Sequence, residues 1–169
     1  MKNAFRSTVL AALLIAALPA AQAAQQLWNV SGSLDSGYFA GQSFAGQFSF
    51  DDASLTGFGD EWLAVDSLAL NFAGMAYTLA DADVPAEVSF FDGAFLGLSF
   101  SASGLDPQIT FITGFSALNE AYVAYDTSLG LSGAGDAIYA PVPEPDAYAL
   151  LLAGLGLLGV AARRRRLAA

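Results

Sequence analysis

The chain has no cysteine and no histidine, and only six Lys and Arg against sixteen Asp and Glu in 169 residues. Without cysteine there is no disulfide, no thiolate metal site, no iron–sulfur cluster and no thiol nucleophile. Without histidine there is no Ser–His–Asp triad, no Cys–His pair and no H-E-x-x-H zinc helix. The six cations are all near the ends: Lys2, Arg6, Arg163, Arg164, Arg165 and Arg166. Residues 24–141 therefore hold fourteen carboxylates and no cation, a formal −14 inside a chain of −10. That excludes a Schiff-base lysine, a P-loop and an arginine clamp on phosphate from this stretch. It also opposes nucleic-acid binding, which needs cations to displace counterions, and a polybasic lipid-surface patch. The main catalytic class that survives is paired-carboxylate chemistry such as glycoside hydrolysis.

The first end is ordered like an export signal. Lys2 and Arg6 precede ten apolar residues, Val9 to Leu18; Pro19 breaks the run, and Ala21-Gln22-Ala23 is a small-residue cleavage site ahead of Ala24. The apolar run is short for a bilayer span. A buried N-terminal helix is the competing reading, and the order of charge, run and small residues favours the signal. A lipoprotein is excluded because its cleavage point needs a cysteine. The expected partners are the Sec export machinery and signal peptidase, with a mature start at Ala24.

The other end has three features in order. Val142-Pro143-Glu144-Pro145 comes first, then sixteen mostly apolar residues, 147–162, then Arg163 to Arg166. Two prolines around one glutamate disfavour helix and leave an extended, accessible peptide. The apolar run spans about 24 Å as a helix at about 1.5 Å per residue, short of the roughly 30 Å hydrocarbon core. Snorkelling arginines and local thinning cover the deficit. The arginines act as a stop-transfer cluster and stay cytoplasmic, which places 24–141 outside and agrees with the export signal.

On these residues the tail resembles the PEP-CTERM sorting domain of Gram-negative bacteria, with its Pro-Glu-Pro signature, Gly/Leu-rich membrane helix and terminal arginines. The resemblance covers 142–169 and implies recognition of Pro143, Glu144 and Pro145 by an exosortase at the inner membrane. It implies anchoring there during sorting, followed by a cell-surface or biofilm-matrix destination among exopolysaccharide. A plain tail anchor is the other reading; it needs no Pro-Glu-Pro.

The 118 residues between the tags read as one acidic all-β domain. Phe44, Gly46, Phe48 and Phe50 alternate with Ser43, Ala45, Gln47 and Ser49. Leu68, Leu70 and Phe72 alternate with Ser67, Ala69 and Asn71; Met75, Tyr77 and Leu79 with Ala76 and Thr78; Leu96, Leu98 and Phe100 with Gly97, Ser99 and Ser101. Phe91-Asp92-Gly93-Ala94 predicts a tight type I′ hairpin. Further strands are expected over 27–33, 109–115, 121–126 and 137–141. About eight short strands at this spacing predict an antiparallel, jelly-roll-like β-sandwich. The expected whole is thus a signal helix at 1–23, a sandwich at 24–141 and a single transmembrane helix within 142–169. Trp28-Asn29-Val30-Ser31-Gly32 and Gly46-Gln47-Phe48-Ser49-Phe50-Asp51 loosely resemble the opening of β domains found ahead of this tag, and no activity comes with that.

Carboxylates are the only abundant titrating groups. Asp51 and Asp52, Asp60 and Glu61, and Asp81 and Asp83 cluster in expected loops, where hard oxygen ligands suit a weak Ca²⁺ site. Asp also simply favours turns and keeps a domain soluble. There is no EF-hand loop, and no other cofactor is expected. Trp28, Trp62, Tyr122 and Tyr125 are the candidate aromatics for a glycan platform, Trp62 and Tyr125 foremost; core packing is the alternative for each. The expectation is a non-catalytic, exosortase-sorted surface or matrix protein that binds no nucleic acid. A carbohydrate- or Ca²⁺-binding module delivered by the same tag is the alternative.

Overall fold

The computed structural model describes residues 25–143 and 151–158. The period-two segments become strands. Ten are present among the described residues: β1 (Gln25–Ser33), β2 (Ser43–Asp51), β3 (Asp60–Phe72), β4 (Met75–Thr78), β5 (Glu87–Phe91), β6 (Ala94–Ala102), β7 (Gln108–Ile112), β8 (Tyr122–Asp126), β9 (Gly133–Asp136) and β10 (Ile138–Pro141). Every pairing between them is antiparallel. Between β5 and β6 the chain turns at Asp92 and Gly93, with φ of 47° and 77°. That is the left-handed pair the Asp-Gly dipeptide supplies to a type I′ turn. Ala73 and Gly74 make a similar positive-φ turn between β3 and β4.

The expected two-sheet sandwich is replaced by one sheet. Its order is β10-β1-β2-β3-β5-β6-β7-β8-β9, with β4 added on β3. β9 and β10 are separated only by Ala137. The first pairs with β8, Tyr122 opposite Asp136, and the second with β1, Ser31 opposite Ile138. One segment thus joins both ends of the sheet and bends it into a nearly closed, barrel-like wall. An antiparallel bridge between Leu34 and Gly135 tightens the seam. The physical reason for one sheet lies in β3 and β6, which each change partner part-way. β3 pairs with β5 through Asp60–Ala64 and with β2 through Val65–Phe72. β6 pairs with β5 through Ala94–Ser99 and with β7 through Phe100–Ala102. Each turn is accompanied by a bulge, with Asp66 extra on β3 and Leu96 extra on β6. A bulge bends a strand and increases its twist, so corners form without cutting the sheet in two. The signal segment 1–23 lies outside the described residues.

The bulges also set which side chains face inward. Phe44, Phe48 and Phe50 are buried, as are Leu68, Leu70 and Phe72. Met75, expected beside Tyr77, is exposed at the turn. Leu96 is buried but stands outside the main core cluster, because its bulge sends Phe95 inward instead. Phe95 packs against Trp28 at 4.4 Å between ring centroids, and against Phe90 and Tyr139 at 5.5 Å. Phe48 and Phe50 complete this cluster at 6.4 and 6.3 Å. Tyr77, Tyr125 and Tyr139 are buried. The Tyr77 hydroxyl donates to the Pro107 carbonyl. Burial, and then the charges of Asp106 and Asp81, push its pKa up to about 12. Burial raises Tyr139 as well.

Replacing Phe95 by Ala is expected to cost about 3 kcal/mol of stability. Replacing Phe115, which is 94% exposed, is expected to change stability by less than about 0.5 kcal/mol. Chemical denaturation of the two variants checks this; equal effects would contradict Phe95 as the hub of the core.

Candidate functional site

Between residues 25 and 143 there is no Lys, Arg or His, so no side-chain ion pair forms within that stretch. Its carboxylates turn instead to backbone N–H groups. Glu61 accepts from the Thr56 and Gly57 amides at 2.7 and 2.8 Å and from the Thr56 hydroxyl at 2.9 Å. Glu120 accepts from the amides of Phe115, Ser116 and Ala117 at 3.0, 2.7 and 3.2 Å. Asp83 accepts from the Ser103 hydroxyl and amide. These donors stabilise the ionised form. The Thr56 amide leads in holding Glu61 below the ordinary range, the Ser116 amide does so for Glu120, and the Ser103 hydroxyl does so for Asp83.

Of the six carboxylates singled out as calcium ligands, Glu61 and Asp83 are held in this way, and so are Asp51 and Asp81. Asp51 closes β2 and accepts from the Ala53 amide at 2.8 Å; Asp52 accepts from the Gln26 side chain at 3.1 Å. Asp60 opens β3 on the exposed face, next to the turn-clasping Glu61. Asp81 accepts from the Thr78 amide and hydroxyl at 2.8 and 2.9 Å. Among the described residues, no group of three or more carboxylates is placed to hold a metal ion.

The aromatic candidates separate cleanly. Tyr125 is in the core, 3% exposed. Its hydroxyl donates to the Ser36 carbonyl at 3.0 Å and accepts from the Phe39 amide at 2.8 Å, pinning the β1–β2 connection. It presents no face to a glycan. Trp28 is half-buried against Phe95 and Tyr122 is partly exposed. Trp62 is the outward one, 59% exposed. It sits on β3 between inward-facing residues and pairs with Ser89 of β5. Beside it runs a groove of about 290 Å³ lined by Asp51, Ala53, Ser54, Trp62, Ala64 and Asp66. Asp66, the bulged residue, was not singled out in the sequence; the two consecutive polar residues Asp66-Ser67, which interrupt the period, were its only signal.

At the far end of the wall, β10 runs into the Pro-Glu-Pro segment without a linker. Pro141 pairs with Trp28, and the Val142 amide donates to the Leu27 carbonyl at 2.8 Å. Pro143 is exposed. Residues 151–158 are helical, with Leu151, Leu152, Leu155, Leu157 and Leu158 all more than half exposed. Among the described residues no helix is long and apolar enough to cross a membrane. The remainder of the expected 147–162 span lies outside them. So do Glu144, Pro145, Arg163 to Arg166 and the cleavage residues Ala21, Ala23 and Ala24. Residues 141–166 match the family profile described as the PEP-CTERM protein-sorting motif. The tail is a PEP-CTERM sorting motif. It begins on the last residue of β10, so the sorting motif and the barrel share Pro141. A PEP-CTERM tail marks a protein that is exported, held at a membrane during sorting and handed to an exosortase. No curated protein and no solved structure matches the chain.

A carboxylate whose pKa is lowered on folding adds stability above its unfolded value, about 4.5 for glutamate. That stability is lost as the pH falls through the folded value. The melting temperature is therefore expected to hold through neutral pH and fall below about pH 4.5. Glu120→Gln is expected to lower it at neutral pH and to flatten the acid fall. Calorimetric melts across that range check both; an unchanged acid slope in the variant would contradict the amide clasp.

Proposed function

We propose that the protein is a non-catalytic component of the cell surface or extracellular matrix. On this reading it is exported across the inner membrane of a Gram-negative cell and released into an exopolysaccharide environment through its PEP-CTERM tail. The observation that carries the proposal is the junction itself. A nearly closed acidic barrel ends at Pro141, and the sorting motif starts on that same residue. The barrel is then cargo, and the tail is delivery. The lack of Cys, His, Lys and Arg in the barrel supports a non-catalytic cargo. So does the use of Glu61 and Glu120 as turn clasps, which leaves Glu87 as the one barrel glutamate outside such a loop.

A second reading is supported by Trp62. A large aromatic on the outer face of a sheet, beside a groove with carboxylate rims, is the arrangement a carbohydrate-binding module uses: the ring packs on the sugar face and the carboxylates accept hydroxyl protons. The barrel would then hold the protein to the matrix into which the tail delivers it.

Replacing Pro143, Glu144 and Pro145 together by Ala is expected to leave the protein at the membrane with its tail uncut. Deleting the exosortase from an otherwise normal strain is expected to have the same effect. Fractionation and immunoblotting check this. Normal processing in both cases would overturn the sorting assignment.

A further inference from the structure

We propose that the groove beside Trp62 takes a glycan carrying free amino groups, a hexosamine polymer without its N-acyl substituents. This rests on the carbohydrate-binding reading and names its ligand class. On the outer face of β3 and β5, Trp62 faces Ser89 across the ladder, and Phe91 is the next outward residue along β5. Trp62 and Phe91 are therefore diagonal neighbours, a separation aromatic side chains can span. Both are open, at 59% and 44% exposure. Of the two, Trp62 lines the groove, and its open indole on the outer face of the sheet receives the carbon–hydrogen face of a pyranose ring.

The rim of the groove supplies the selectivity. Asp51 stands where β2 ends, and Asp66 is the residue the β3 bulge pushes out of the ladder. A bulge re-aims a side chain in this way. Asp51 commits Oδ1 to the Ala53 backbone amide, and Asp66 accepts a long contact of 3.4 Å at Oδ2 from the Gln25 side-chain Nε2. Each carboxylate keeps its other oxygen for a ligand, and Ser54 also lines the groove. An ammonium group has three donors and no acceptor. It suits two carboxylates beside an indole face, where charge-assisted hydrogen bonds and a cation–π contact add together. Because residues 25–143 contain no cation, nothing in the barrel neutralises this rim. The same charge repels uronate-bearing and sulfated polymers.

The test uses the full chain in detergent micelles, at low salt and about pH 6, where amines are protonated and carboxylates ionised. Three oligosaccharides of equal length serve as probes: one of glucosamine, one of glucose and one of galacturonate. Calorimetry and tryptophan fluorescence read the binding. The glucosamine oligomer is expected to bind about tenfold more tightly than the neutral one, the gain of one charge-assisted hydrogen bond, and the galacturonate oligomer not to bind. The double variant Asp51→Asn, Asp66→Asn is expected to bring the glucosamine oligomer down to the neutral level. Trp62→Ala is expected to abolish binding of both, with melting temperatures of both variants near that of the parent. Equal affinity for the glucosamine and glucose oligomers in the parent overturns the amine preference and leaves the sugar-binding reading standing. No binding of either overturns both. Glucosamine binding that survives both variants is attraction to the acidic surface at large and overturns the site.

Discussion

The structure depends on a single segment, residues 133–141, which pairs with β8 through its first half and with β1 through its second. A sheet of this length that stayed open would leave β1 and β8 as bare edges, with rows of unpaired amides and carbonyls ready to recruit other chains. Joining them removes both edges and encloses the aromatic core. The segment also carries Tyr139 into the Phe48 and Phe95 cluster. The same pairing fixes where the sorting motif begins, because the ladder between β10 and β1 runs out at Pro141 and Val142. Closure of the fold and presentation of the tail are therefore one event.

The second constraint is charge. Fourteen carboxylates with no cation among them leave hydrogen bonding and solvation as the means of holding negative charge. Turn amides take up that task at Glu61 and Glu120, and the Ser103 hydroxyl leads at Asp83, giving order to loops that have no disulfide to tie them. The acidity is thus built into the turns. The Trp62 groove is where that acidity meets an open aromatic surface, which is why the proposed ligand carries the opposite charge.

Much of this was legible in the residues. The hairpin at Phe91–Ala94 was, because Asp-Gly demands it, and so were the inward faces of β2 and the second half of β3. The first half of β3 was hidden, since Asp60-Glu61 reads as a turn and the bulge at Asp66 breaks the period. β9 was hidden for another reason: Gly133-Ala134-Gly135-Asp136 holds no strand-forming side chain. It is a strand because its neighbours supply the ladder. Gly133 and Gly135 let the Ser33–Ser36 backbone lie where a Cβ would stand. The one-sheet architecture followed from these two hidden pieces, which is why the alternation alone suggested a sandwich. In the tail, Pro-Glu-Pro and the arginines were readable from chemistry and order. The split between buried Tyr125 and open Trp62 was not: Tyr125 shares the inward phase of Val123 on β8, and Trp62 stands on the outer face of β3 ahead of the Asp66 bulge.

The central claim is that the chain closes on itself immediately before its sorting tail. Native-state hydrogen exchange, resolved to single amides, tests it most directly. The account predicts that the β10 amides and that of Val142 exchange as slowly as those at the centre of the β1–β2 ladder, opening only when the barrel unfolds. Fast exchange across 138–142, with β1 and β2 still protected, would mean that the wall is open at β1 and the motif hangs on a free linker, and would contradict the account.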